Sequence, residues 1–228
     1  MTHKINIFFD IETIPTQSTT IKEHVQSTLT PPSNYKKPEV IEAWIEENKD
    51  AAYRKAALNG GYGQIVCIAY AVNDEPVSVI YSDNWAGDEK SILIRFFDDI
   101  KTQYKPSADI TPAFIGHNLE NFDLRFIYQR AIVLGVKPPS FLPLNNKSYN
   151  NIHIYDTMTE WAGKRNYVSL NEICIALGIP PKNDEIDGSK VWDFVQAGKI
   201  KRVAEYCADD VEKVRAIYKR MNFITEAQ

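Results

Sequence analysis

The run INIFFDI at residues 5–11 places five β-forming apolar residues around one amide and one acid. Apolar residues at successive positions are typical of a strand that is covered on both faces, at the centre of a sheet. Glu12 follows Asp10 by two positions, and side chains two apart in a strand project from the same face. The opening of the chain therefore predicts a central strand that carries two carboxylates near its end.

Hydrophobic spacing and turn residues predict further strands and helices along the rest of the chain. Strands are predicted at residues 64–72, 77–81, 113–116 and 152–155, and helices at 38–58, 88–104, 120–134 and 200–221. A capping box at Ser169 and a stop at Gly178 predict one more helix between them. Residues 16–37 are polar and rich in Ser, Thr and Pro, which predicts a loop. A meander of three strands followed by alternating helices and strands predicts an α/β domain with a mixed sheet.

The chain has 228 residues, a formal net charge of −4 and 44% hydrophobic residues, which is typical of a globular domain. Its longest apolar runs are far shorter than the roughly 20 residues that span a bilayer, and its start shows no signal-peptide segment. We therefore expect a cytoplasmic protein without membrane contact. Its three cysteines fit no C-x-x-C zinc pattern, so we expect small buried thiols in a reducing compartment.

Four acids stand where an ordinary core would carry apolar residues. Asp10 and Glu12 end the first strand. Asp123 lies on the apolar stripe of its predicted helix, and Asp210 borders the buried stripe of the last one. A carboxylate removed from water without a partner costs several kcal/mol. A cluster of oxygen ligands suits Mg²⁺ or Mn²⁺, and two such ions about 4 Å apart form the clamp used for in-line phosphoryl displacement.

Each acid also has an ordinary structural explanation when it is considered alone. Asp10 and Glu12 could mark a strand exit, and Asp123 could cap its helix or pair with a nearby arginine. Tyr206 and Asp210 could be a surface pair one helical turn apart. The net charge of −4 argues against a protein that holds nucleic acid mainly by a positive field, but not against an acidic pocket neutralised by cations.

Three short motifs occur in order along the chain, namely FDIET at residues 9–13, NLENFD at 118–123 and YCADD at 206–210. This order resembles the D-x-E, N-x-x-x-F-D and Y-x-x-x-D motifs of the DEDD-superfamily 3′–5′ exonucleases. The histidine branch of that family has His five residues before the last Asp, where this chain has Glu205, so Tyr206 indicates the tyrosine (DEDDy) branch. The chain looks most like the stand-alone proteins related to the exonuclease domain of family-B DNA polymerases.

The resemblance implies a ribonuclease H-like mixed β-sheet flanked by helices on both faces, in a single 3′–5′ exonuclease domain with an insertion at about residues 16–59. It also implies two divalent cations, Mg²⁺ or Mn²⁺, as cofactors. Asp10 would bridge both ions. Glu12 and Asp210 would complete the site of the ion that generates the attacking hydroxide, while Asp123 would hold the other ion.

The same resemblance gives Tyr206 a separate role, which is to orient the attacking water. A phenol with a pKa near 10 is a poor base at neutral pH, so positioning is the better use of its oxygen. Asn118 and Thr13 would contact the terminal nucleotide. The implied substrate is the 3′ end of a single nucleic-acid strand, with DNA favoured over RNA. Proofreading would require a separate replication or repair protein as a partner.

Other interpretations stay open at this point. A catalytically silent module could use the same fold to hold nucleic-acid ends or a partner protein, and it would be expected to lack at least one of the acids. An endonuclease or a nucleotide-clearing phosphatase would differ in its products. Lys190 could meet a backbone phosphate, although a solvated lysine is the commoner case. Trp44 and Tyr53 could stack on bases, although packing is the commoner use of such side chains.

Overall fold

A computed structural model describes residues 3–103, 110–144, 153–181 and 185–224 of the chain. Its five strands are β1 (His3–Ile14), β2 (Gln64–Val72), β3 (Ser78–Tyr81), β4 (Ile110–Gly116) and β5 (Ile154–Asp156). They lie in the order β3-β2-β1-β4-β5, with β1 antiparallel to β2 and parallel to β4. The mixed sheet and the central place of β1 confirm the prediction from the first apolar run.

Eight α-helices accompany the sheet within the described residues. They are α1 (Thr19–Ser27), α2 (Pro38–Lys55), α3 (Glu89–Gln103), α4 (Asp123–Leu134), α5 (Thr157–Ala162), α6 (Leu170–Leu177), α7 (Val191–Gln196) and α8 (Ile200–Met221). A short 3₁₀ turn at Ala56–Leu58 follows α2. In that part of the chain, no helix combines the length and the apolar character that a membrane crossing requires.

Helices cover both faces of the sheet, as predicted. On one face, Phe9 and Ile11 of β1 are buried in a cluster with side chains of α3 and α4. On the other face, Phe8 and Ile14 pack in a cluster with side chains of α7 and α8. Because side chains alternate along a strand, Asp10 shares the face of Phe8 and therefore points toward α8. The fold thus brings the acid end of β1 against the last helix.

Most predicted elements are present, and their errors have local causes. The loop predicted at 16–37 contains α1, because Ser18 accepts a hydrogen bond from the Ile21 N–H and so starts a helix. The predicted start of α4 at residue 120 is wrong by one turn. The Asp156 carboxylate accepts hydrogen bonds from the backbone N–H groups of Asn118 and Glu120, which keeps this stretch in a turn until residue 123.

Two helices, α5 and α7, are absent from the predicted set because each has only six residues, too few for a periodic pattern. The predicted ends at Tyr104 and Ile152 lie outside the described residues. The three cysteines are free and buried, as expected. Tyr53 is also buried, its hydroxyl donates to the Thr16 carbonyl at 2.9 Å, and its ring packs on Trp192. Tyr53 is therefore used for packing, which was the commoner of its two possible uses.

Candidate active site

The acid end of β1 is shaped by a β-bulge. The pairing of β1 with β2 shifts register between Glu12 and Thr13, and such a bulge re-aims the side chains beside it. Thr13 turns its hydroxyl to the Ala57 carbonyl, at 2.7 Å, and is buried. Glu12 is 8% exposed and Asp10 is half-buried, so both carboxylates are held in the wall of the protein rather than in open solvent.

Asp123 reaches the same place from the opposite face of the sheet. It is the first residue of α4 and is 2% exposed, and its Oδ1 accepts a hydrogen bond of 3.1 Å from the Ile11 N–H. Ile11 lies between Asp10 and Glu12, so this bond fixes Asp123 against the acid end of β1. Burial and the nearby charge of Asp10 raise the pKa of Asp123 well above its ordinary value.

The last helix supplies Tyr206 and Asp210, one turn apart on α8. Asp210 is 8% exposed. The pKa of the Tyr206 phenol is raised, first by burial and then by the charges of Asp210, Glu12 and Asp10. A phenol in this setting keeps its proton at neutral pH and can donate a hydrogen bond, which fits a positioning role better than the role of a base.

Cys207 is a neighbour of the acids that the motifs do not reveal. Its Sγ lies 3.3 Å from Oδ2 and 3.4 Å from the carbonyl oxygen of Asp10. Burial, Cys67 and the charges of Asp10 and Glu12 raise the pKa of the thiol, so it stays protonated and can donate to Asp10. The signal in the sequence was its place next to Tyr206, but apolar neighbours suggested an inert buried thiol.

A cleft of about 470 Å³ opens beside these groups. Asp10, Tyr206 and Asp210 line one part of it. Further lining residues come from the end of β4, the segment before α6, α6 itself, the segment before α7, and α8, and they are His117, Tyr167, Ser169, Leu170, Asn171, Cys174, Ile186, Asp187 and Lys213. Asp10 and Asp210 therefore stand in the wall of an open space large enough for part of a substrate.

Asn118 lies two residues after the end of β4 in a left-handed conformation, with φ of 58°. Its backbone N–H donates to Asp156 Oδ1 at 2.9 Å. Asp156 is 4% exposed and also caps α5, so one carboxylate organises the turn that leads to Asp123. Sequence reasoning missed Asp156, although an acid that directly ends a short strand is the same signal that drew attention to Asp10.

The structure brings the four predicted acids and Tyr206 near the end of β1. The charge of Asp10 acts on Asp123 of α4, and the charges of Asp210, Glu12 and Asp10 act on Tyr206 of α8. Ligand atoms of Asp10, Glu12 and Cys207 lie within 4.8 Å of one another. Clustered carboxylate oxygens fit a divalent cation, which would offset their mutual repulsion. Lys190, by contrast, donates to the Glu185 carbonyl at 2.9 Å and is held in its own loop. The roles of the site residues, including Thr13 and Asn118, stay predictions.

Comparison with known families adds a second line of argument. Residues 58–227 match the family described as predicted 3′–5′ exonucleases related to the exonuclease domain of PolB. The chain belongs to this family. The match confirms the resemblance found in the motifs, and it contains Asp123, Tyr206 and Asp210. It begins after β1, so the place of Asp10 and Glu12 in the site is supported by the geometry rather than by the family match.

The fold of this exonuclease family member is also found among solved structures, of which 39 chains match. One is the family B DNA polymerase from the hyperthermophilic archaeon Pyrobaculum calidifontis, with a TM-score of 0.58 and 16% sequence identity. The alignment covers 96% of this chain and 24% of the polymerase chain. It supports the ribonuclease H-like α/β fold and nothing finer. No curated protein sequence matches the chain.

Proposed function

We propose that the protein hydrolyses phosphodiester bonds one at a time from the 3′ end of a single nucleic-acid strand, with two divalent cations as cofactors. The observation that carries this proposal is the convergence of four acids from three separate elements, β1, α4 and α8, beside a cleft that Asp10 and Asp210 line. An ordinary core does not gather like charges, because their repulsion and desolvation both disfavour folding. The same family membership supports nuclease chemistry at this site.

Asp10, Glu12, Asp123 and Asp210 would hold the cations, and Mg²⁺ or Mn²⁺ suits their oxygen ligands. When bound, such cations lower the pKa of water and stabilise charge on the leaving 3′ oxygen. The chain's own groups orient the reactants. Tyr206 donates its phenolic hydrogen bond toward the attacking water, and the Cys207 thiol holds the Asp10 carboxylate in place.

The substrate would enter by the cleft, and the family resemblance implies that its terminal nucleotide contacts Asn118 and Thr13. The Thr13 hydroxyl already donates to the Ala57 carbonyl, so any hydrogen bond that Thr13 donates to the nucleotide would come from its other atoms. DNA is favoured over RNA by the family resemblance alone. A separate replication or repair protein as partner and a cytoplasmic location both stay predictions. The formal net charge of −4 means that binding relies on local contacts and cations rather than on a large positive field.

The test is degradation of a 5′-labelled single strand with Mg²⁺ or Mn²⁺ by the wild type and by Asp10→Ala. The wild type should give a ladder that shortens from the 3′ end. Asp10→Ala should lose at least about a thousandfold in rate, because the metal clamp supplies several kcal/mol and each 1.36 kcal/mol is tenfold. Matched DNA and RNA strands in the same assay determine the sugar preference.

Glu205→Ala is the matched control for this experiment. Glu205 precedes Tyr206 on α8, is exposed, and forms a surface ion pair with Arg202 at 3.2 Å. Its loss should leave the rate within about twofold, since surface pairs contribute little. Equal degradation by wild type and Asp10→Ala would refute the assignment. Internal fragments in place of a ladder would indicate an endonuclease, and strand binding without any cleavage would indicate the silent module.

A further inference from the structure

The segment at residues 163–169, which joins α5 to α6, is fixed at both of its ends. Gly163 follows α5 with φ of 83°, and its N–H bonds the Thr159 carbonyl at 2.9 Å. At the other end, Ser169 and Glu172 form a reciprocal capping box at the start of α6. We call this segment the 163–169 loop. Both ends of the loop are therefore held by hydrogen bonds at the ends of helices.

The middle of the 163–169 loop is tied to the sheet by His117. Its Nε2 lies 2.9 Å from the Val168 carbonyl oxygen, and Nδ1 lies 3.0 Å from Thr157 Oγ1. A carbonyl oxygen can only accept, so Nε2 carries the proton. Burial lowers the pKa of His117, which keeps the ring neutral at pH 7. His117 immediately precedes Asn118, so the loop is anchored next to the turn that leads to the acids.

Tyr167 is the side chain that this anchoring presents to the cleft. It is 78% exposed, yet it lines the same cleft as Asp10, Tyr206 and Asp210. Tyr218, by contrast, is buried and packs against Phe8. The apolar faces of the Tyr167 ring are therefore exposed to solvent. They can be buried when another flat group, such as a base, stacks on the ring.

The same loop carries positive charge. Lys164 and Arg165 are both exposed, and Arg165 has a left-handed backbone with φ of 69°. Lys213 lines the cleft from α8 and pairs with Asp209 at 3.3 Å. Basic side chains near an exposed aromatic ring are the combination by which proteins hold single strands, through phosphates and through the faces of unpaired bases.

We propose that Tyr167 is a stacking platform for an unpaired base of the strand whose 3′ end lies at the acids. The inference rests on the proposed function and deepens it, since it names which wall of the cleft guides the substrate. Stacking on a single ring requires an unpaired base and tolerates any base. Tyr167 therefore favours single strands over duplexes without selecting a sequence.

The experiment compares Tyr167→Ala and Tyr167→Trp with the wild type in steady-state degradation of a short single-stranded DNA with Mn²⁺. Base stacking on an aromatic side chain is worth about 1–3 kcal/mol, so Tyr167→Ala should raise KM by roughly 5- to 150-fold. The kcat should stay within about twofold, because Tyr167 does not touch the acids. Tyr167→Trp should restore the wild-type KM. Phe223→Ala removes a ring that is 91% exposed after α8 and should change neither constant.

A binding assay with abasic strands separates stacking from a structural role. Fluorescent oligothymidines with one abasic position each are titrated into the full-length protein in EDTA. At one position in the strand, the missing base should weaken binding to the wild type. The same missing base should not weaken binding to Tyr167→Ala any further. The inference is overturned if Tyr167→Ala degrades the strand with an unchanged KM. It is also overturned if the missing base weakens binding equally in both proteins. If the wild type neither binds nor degrades the strand, the proposed function itself fails.

Discussion

Two buried acids, Glu89 and Asp123, occupy nearly the same structural position with opposite surroundings. Each is the first residue of a helix, and each accepts a hydrogen bond from the backbone N–H of a neighbouring strand, Ile65 at 2.9 Å and Ile11 at 3.1 Å. Glu89 then meets Arg130, whose guanidinium donates to both carboxylate oxygens at 2.7 and 2.6 Å. Asp123 instead faces the carboxylate of Asp10.

The difference separates an acid that stabilises the fold from one that, under the proposed function, holds a cation. The chain supplies the cation for Glu89, and the bidentate pair ties α3 to α4 inside the core. Asp123 has the negative charge of Asp10 beside it. Burial and this charge make the ionised form of Asp123 unfavourable, and its pKa is raised for that reason. A fold retains such an arrangement when a ligand from outside offsets the repulsion. Replacing each acid by its amide should therefore destabilise the folded protein at Glu89 and stabilise it at Asp123.

Glu89→Gln should have the largest effect on stability. The amide keeps the size and the bond to Ile65, but it leaves the buried Arg130 charge uncompensated, which costs about 3–5 kcal/mol. Urea denaturation monitored by tryptophan fluorescence measures the loss. Asp98→Asn is the control on the exposed side of α3, where the pair with Lys101 is solvent-accessible and its loss should cost less than about 1 kcal/mol. A loss below 1 kcal/mol for Glu89→Gln would show that the pair is not structural.

Asp123→Asn should stabilise the protein in EDTA, by about 1–2 kcal/mol at neutral pH, while it abolishes activity. The amide oxygen still accepts from Ile11, and the repulsion with Asp10 is gone. The sign follows from linkage, because a folded-state pKa above the unfolded value lets protonation stabilise the folded wild type only at low pH. The advantage of the variant should therefore grow as pH rises from below 4, and it is measured by urea denaturation at several pH values.

A variant that is less stable than the wild type across this pH range would contradict the comparison, since Asp123 would then be a structural acid like Glu89. Mn²⁺ provides the complementary measurement. Ligand binding to the folded state adds stability by mass action, about 2.7 kcal/mol at a hundred times the Kd. The wild type should gain stability from Mn²⁺, and Asp123→Asn should gain less.

The sequence predicted the parts of this comparison that leave a periodic or ordered signal. The apolar run of β1, the long stripe of α8 and the three motifs indicated the sheet, its central strand, and the four acids and the tyrosine that lie near the end of β1. Short helices escaped, because six residues in α5 or α7 cannot display a helical period. The pairing of Glu89 with Arg130 also escaped, because residues 41 apart carry no sign of their contact.

The missed parts of the site share a second cause, which is that they depend on tertiary contacts. Asp156 acts through a turn 36 to 38 residues away, and His117 acts through a carbonyl 51 residues away. The place of Tyr167 in the wall of the cleft is a property of the folded loop. Its polar neighbours in the sequence do not distinguish it from any other surface tyrosine. Residue type and spacing identified the acids, whereas only the fold identified what holds them in place.

Cys207 offers the smallest and most specific test of how the acid cluster is held, because it gives Asp10 a neutral thiol where Arg130 gives Glu89 a charge. Cys207→Ala should weaken Mn²⁺ binding about fivefold, equivalent to about 1 kcal/mol for one lost hydrogen bond to a carboxylate. Cys207→Ser keeps a donor and should bind Mn²⁺ within about twofold of the wild type. Titration of Mn²⁺ followed by its electron paramagnetic resonance signal measures both.

Cys174→Ala is the matched control, since it removes another buried thiol that lines the cleft, from α6 instead of α8. It should leave the Mn²⁺ affinity unchanged, while any loss of packing appears equally in the denaturation curves of both alanine variants. If Cys207→Ser binds Mn²⁺ as weakly as Cys207→Ala, sulfur itself contributes to the cation site. If neither variant differs from the wild type, the orientation of Asp10 is set by its strand and the bulge at Glu12 alone, and the thiol is only a packed side chain.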